Sequence, residues 1–159
     1  MKRYILLFLA LLTLACCACT SKSRTYLAPF KGAFETSIEG EYRGVCFSAK
    51  LSCDAVDARG VRAATLTFYA PASLSGTTLS RDRDGALSLC ANGVTLEAPQ
   101  GYAALLDVFD VSRAETVVRE GANTRISGEG YSLLFAEDGT PLSVTNGTVT
   151  ARVLSFAQS

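Results

Sequence analysis

The sequence predicts a mainly β (α+β) domain: a curled antiparallel sheet, a half-barrel of roughly ten strands with one helix on its concave side. Three observations carry this. Turn-forming glycine pairs recur at short, regular intervals from Phe30 onward, the runs between them alternate apolar and polar residues with period two, and one segment alone has helical spacing.

The punctuation falls at Glu39-Gly40, Arg59-Gly60, Asp84-Gly85, Asn92-Gly93, Gly121-Ala122-Asn123, Asp138-Gly139 and Asn146-Gly147. Asn-Gly and Asp-Gly suit type I′ hairpin turns, in which both central residues take positive φ. Between the turns, "VCFSAKL" puts Val45, Phe47, Ala49 and Leu51 on one face, and "ATLTFY" does the same for Ala64, Leu66 and Phe68. "ALSLC" contributes Leu87 and Leu89, "VTLE" Val94 and Leu96, and "TVTARVLSF" Val149, Ala151 and Val153. A meander with one apolar and one more polar face follows. The stretch before it, "YLAPFKGAFETSIEGEY", contains Pro29 and Gly32 and reads as a strand.

"GYAALLDVFDVSRAE" breaks the alternation. Tyr102, Leu105, Leu106 and Phe109 share one helical face, with Asp107 and Asp110 on the other as its wet side. A helix of about ten residues cannot cover ten strands, so the sheet must curl around it. Such a sheet either encloses an apolar ligand cavity or packs solid, and periodicity alone does not choose.

Composition bounds the chemistry. The 159 residues suit one domain, and 48% of them are hydrophobic, which excludes a disordered chain. Fifteen basic residues balance fifteen acidic ones, so bulk charge makes no case for nucleic acid. There is no His, which removes the usual general base near neutral pH and the commonest metal ligand. No Ser-His-Asp or Cys-His arrangement can be built, and the carboxylates show no pairing. The expectation is a non-enzymatic protein with no cofactor and no metal site.

The first 23 residues, "MKRYILLFLALLTLACCACTSKS", carry a different message. Lys2 and Arg3 precede 12 uncharged residues, Tyr4 to Ala15. That run is shorter than the ~20 residues a helix needs to span a bilayer, and it describes an export signal. Its end resembles the lipobox of bacterial lipoproteins, in which a small residue precedes a cysteine that receives diacylglycerol. The resemblance implies lipid attachment at Cys16, after Ala15, with Cys17 as the alternative and Cys19 a poorer match. Residues 1–15 then form the signal peptide, 16–29 a flexible tether, and 30–159 the single β-rich domain. The two chains of a diacylglycerol hold stably where one acyl chain is marginal. The chain is expected to be exported and lipid-anchored at the cell membrane, on the bacterial surface or the periplasmic face.

Cys46, Cys53 and Cys90 remain in the domain. Along one strand Cys46 and Cys53 would lie about 23 Å apart on opposite faces, beyond a disulfide's reach. They read as small buried apolar thiols, with a bridge from Cys90 to either as the alternative. "SRDRDG" reads as a solvated hairpin tip, and "NGT" at Asn146 as a hairpin turn.

The order of elements has a likeness. "ATLTFYAPASLSGTTLSRDRDGALSLCANGVTLEAP", then "GYAALLDVFD", then "YSLLFAEDGTPLSVTNGTVTARVLSF" resembles the LolA-like group of bacterial lipoproteins and lipoprotein carriers. The resemblance implies an incomplete antiparallel barrel wrapped over helices, with a hydrophobic cavity for acyl chains. One departure is visible: such carriers have a substantial helix before the first strand. The expected function is to bind a lipid or acyl chain between sheet and helix, with Phe47, Leu66, Phe68, Leu105 and Phe109 as candidate cavity residues. The alternative is a cell-envelope structural or interaction module with a packed core, whose partner is an envelope protein. No nucleic-acid partner is expected.

Overall fold

The computed structural model describes residues 26–158, and the export signal and lipobox lie outside them. Eleven strands form one antiparallel sheet: β1 (Phe34–Tyr42), β2 (Val45–Cys53), β3 (Ala64–Ala70), β4 (Thr78–Arg81), β5 (Leu87–Ala91), β6 (Val94–Glu97), β7 (Thr116–Glu120), β8 (Asn123–Gly128), β9 (Tyr131–Phe135), β10 (Pro141–Thr145) and β11 (Val149–Gln158). Their order is β6-β5-β4-β3-β2-β1-β11-β10-β9-β8-β7. The two outermost strands, β6 and β7, are therefore consecutive in sequence. The sheet stays open between them, and the segment joining them carries the short α-helix α1 (Ala103–Leu106). This is the half-barrel that alternation and a lone helix call for.

Period-two patterning is obeyed across the central strands. Phe34, Thr36, Ile38 and Tyr42 of β1, Phe47, Ala49, Leu51 and Cys53 of β2, and Ala64, Leu66 and Phe68 of β3 are all buried on the inner face. The pattern fades toward one rim, where Val45 is 51% exposed, Val94 59% and Leu96 63%. Parity is right at these positions, but no element covers them.

One glycine reading changes. Gly40 makes no turn; it lies within β1 opposite Ala151, and a Cβ there would stand 2.5 Å from the Thr150 carbonyl. Close approach of β11, not positive φ, is what requires glycine here. The β1–β2 turn falls instead at Arg43-Gly44, with φ of 52° and 80°. Asn92-Gly93, with φ of 51° and 78°, forms the turn its sequence announces.

Parity also breaks once to advantage. In the β1–β11 ladder Ser37 pairs with Ser155 and Ile38 with Val153, leaving Leu154 as a bulged residue. The extra residue turns Leu154 outward and returns Phe156 to the inner side. Thr36, buried beside the bulge, donates its hydroxyl to the Ser155 carbonyl at 2.7 Å.

The N-terminal end of the domain differs from a strand. Ala28–Lys31 form a 3-10 turn with Pro29 in its first positions, which seats Phe30 in the core. Tyr26 and Leu27, within the segment read as tether, also pack against the core. Phe30 stacks on Phe109 (centroids 5.3 Å, planes 10° apart) and meets Phe34, Phe135 and Phe156 at 5.5, 6.0 and 5.1 Å. Offset and edge-on ring pairs of this kind add stabilisation beyond their buried area.

Phe30→Ala should lower stability by about 3–5 kcal/mol, the cost of emptying a fully packed aromatic site. Urea denaturation followed by far-UV circular dichroism checks it.

Candidate functional site

Only four residues of the apolar helical segment form α1. Gln100–Tyr102 before it and Val111–Arg113 after it are 3-10 turns, and Asp110 caps the second through a 3.0 Å bond from the Ser112 amide. A helix this short has no stability of its own. Three side chains, from β1, β4 and the β10–β11 turn, hold the segment in place. Tyr42 donates its hydroxyl to the Gly101 carbonyl at 2.7 Å, Asn146 its side-chain amide to the Ala104 carbonyl at 2.8 Å, and Arg81 pairs with Asp107 at 2.7 Å. Asp107, expected on a wet face, is thus a half-buried partner of β4. Asn146 belongs to the turn motif "NGT", whose role in gripping the helix has no signal in sequence.

The inner face divides into two halves. Around Phe30, Phe34, Phe109 and Phe135 it is packed solid. On the β2–β5 side an open-mouthed cavity of about 290 Å³ remains, between Phe47, Phe68, Leu74, Leu79 and Leu89 of the sheet side and Tyr102 and Leu105 of the helical segment. Phe47 and Phe68 meet edge to face at 6.0 Å and form one wall. Tyr42, Arg43, Val45 and Thr77 complete the lining. Of the five candidate cavity residues, Phe47, Phe68 and Leu105 are brought together here. Leu66 and Phe109 are fully buried and do not line it.

A larger cleft of about 810 Å³ lies between the N-terminal turn, the 56–62 loop and Asp107–Ser112. Of its charged groups, Lys31, Arg62, Arg81, Asp107 and Asp110, one pair is joined by a salt bridge and two more are held by the backbone. Arg81 holds Asp107, Arg62 donates to the Phe30 carbonyl at 3.0 Å, and Asp110 caps its own turn. Beyond Asp110 a third recess is lined by Tyr131, whose buried hydroxyl has no partner among the described residues. Burial, then the Asp110 charge, pushes that phenol well above its ordinary range. Among the described residues no cluster of three His, Cys, Asp or Glu is gathered as metal ligands require.

The cysteines fall on the two faces their parity demands. Cys46 is exposed, Cys53 buried and Cys90 half-buried, and all three are free thiols, so burial applies fully to Cys53 alone. No bridge from Cys90 forms. Burial pushes the Cys53 thiol from 9.0 up to about 11, with Arg62 and Arg81 pulling the other way.

The raised value makes stability depend on alkali. Below pH 9 the thiol is neutral folded or unfolded; between pH 9 and about 11 the unfolded chain loses the proton first. Stability should therefore fall by about 2–3 kcal/mol as pH rises through that window. Denaturant titrations at several pH values check this, with Cys53→Ala flattening that part of the slope.

No helix among the described residues is long and apolar enough to cross a membrane. No family model matches the chain, and no curated protein matches it in sequence. Solved structures do match in shape. An uncharacterized conserved protein from Thermus thermophilus aligns with a TM-score of 0.50 and 13% identity over 87% of this chain and 88% of that one. A LolA superfamily protein, NE2245 from Nitrosomonas europaea, aligns at a TM-score of 0.40 with 8% identity, over 76% of this chain and 69% of that one. MucB aligns with a TM-score of 0.50 and 14% identity over 87% of this chain; the chain spans 59% of MucB. At such identities the likeness to the Thermus protein and to MucB is one of fold alone: an open, curled antiparallel sheet.

Proposed function

We propose that this chain is an exported, lipid-anchored binding protein that takes an acyl chain into the cavity between β2–β5 and the helical segment, and that it performs no catalysis. The observation that supports the binding role is the cavity itself. An interior apolar recess that stays unfilled beside a densely packed aromatic half gives up dispersion contacts its walls could make. An apolar ligand restores them, and its transfer from water is favourable by about 0.8 kcal/mol per methylene buried. The larger cleft is lined in part by Lys31, Arg62, Arg81, Asp107 and Asp110, charged groups that an acyl chain would strip of water. The lipobox reading supports the anchor, with Cys16 as the attachment site and Cys17 as the alternative, and places the domain at the membrane surface where acyl chains are found.

A second reading, an envelope interaction module, has its own observation. β6 and β7 each have one unpaired edge, and Val117 and Val118 of β7 are exposed there. An envelope protein partner could add a strand to either edge.

Two measurements test the proposal. Decanol, as the probe, should bind the chain from Thr20 onward in a calorimetric titration, and native mass spectrometry should show co-purified lipid. Leu89→Trp, which fills the mouth, should weaken binding at least tenfold while leaving the far-UV spectrum unchanged. A wild-type chain that takes up neither probe nor lipid sinks the cavity reading and leaves the interaction module. Separately, peptide mapping of the native protein should find diacylglycerol on Cys16; an intact, unmodified Met1 overturns the anchor.

A further inference from the structure

The cavity's mouth holds one charged group, and its position is unusual. Among the residues lining the cavity only Arg43 is charged. Its side chain is exposed, enters none of the ion pairs found among the described residues, and lies over the Tyr42 ring at 5.1 Å. The ring's own hydroxyl is committed to Gly101, so the platform beneath the guanidinium is fixed.

The backbone at this site adds an independent argument. Arg43 sits at φ 52° in a two-residue turn with Gly44, the conformation that Asn92 adopts at φ 51° before Gly93. Asn or Gly suits that position; a long side chain there is uncommon and costs conformational energy. One hairpin of this sheet carries the favoured residue, and the hairpin at the cavity mouth carries arginine. Backbone outliers of this kind gather where a side chain serves a ligand.

Cavity size narrows the ligand further. About 290 Å³ is at the small end for ligand pockets and holds about ten groups the size of a water molecule or a methylene. That is room for one medium chain, not for two. The exposed Val45 and Tyr102 flank the mouth, so a chain leaving the cavity meets apolar surface first and the guanidinium beside it.

Building on the acyl-binding reading above, we infer that the ligand is a single-chain carboxylate, a fatty acid of about ten carbons whose tail fills the cavity and whose headgroup is held by Arg43. The planar guanidinium fork matches a carboxylate bidentately, and the chain offers no competing anion at the mouth.

The test is calorimetric titration of the chain from Thr20 onward with decanoate, decanol and decyltrimethylammonium at low salt. Decanoate should bind about tenfold more tightly than decanol, the size of one charge-assisted pairing, and the cationic chain most weakly. Arg43→Asn removes the charge while giving the turn its preferred residue, so the fold is not endangered. It should abolish the preference for decanoate and leave decanol affinity unchanged, and Arg43→Lys should restore part of it. Equal binding of decanoate and decanol, or a preference that survives Arg43→Asn, overturns the headgroup assignment while the cavity reading stands. Failure of all three chains to bind overturns both.

Discussion

The stack of Phe30 on Phe109 is the contact on which the remaining architecture rests. One ring comes from a turn before the first strand, the other from the segment that follows the helix. Neither element has enough internal hydrogen bonding to persist alone. Pressed together against Phe34, Phe135 and Phe156, they plug the middle of a sheet that would otherwise expose its apolar face. With that plug in place the helical segment crosses the concave side at a set height, and the space left under its other end is the cavity.

The helical segment is accordingly positioned by others. Aromatic packing sets its C-terminal side, while Tyr42, Asn146 and Arg81 fix it along its length from three different strands or turns. The Asn146 bond satisfies a carbonyl that the end of a one-turn helix leaves unpaired, and the other two hold the residues on either side of it. The wall of the cavity is therefore rigid on the sheet side and held by discrete polar clamps on the helix side.

Strands were legible in sequence because alternation records burial directly: Phe47, Ala49, Leu51, Leu66 and Phe68 all face inward as their spacing demands. The open half-barrel followed from counting strands against one helix, although the helix proved shorter, since apolar spacing cannot distinguish α from 3-10 geometry over a few residues. Gly40 misled because glycine serves close packing as well as turns, and nothing local separates the two uses. Leu154 was opaque for a related reason: a bulge is a property of two strands in register. The cavity was half legible. Phe47, Phe68 and Leu105 were recoverable as inward residues, but which inward residues stay unfilled depends on where the aromatic plug falls, and Arg43 gave no signal until its φ was known.

The placing of β1 and β11 at the centre of the sheet has a mechanical consequence. A protein held at its N-terminus feels any pull along β1, which lies between β2 and β11. Nine residues of β1 pair with β2 in continuous register, and the same nine pair with β11 across one bulge. Load entering at Phe34 acts along these ladders in shear, so many hydrogen bonds resist it together instead of parting one by one. The outer strands β6 and β7 lie off that line of force, whereas Tyr42 of β1 and Val45 and Phe47 of β2 connect it to one wall of the cavity. Tension applied at the N-terminal end of the domain would thus be borne by the longest seam of the sheet, and the cavity wall formed by Tyr42, Val45 and Phe47 would share it.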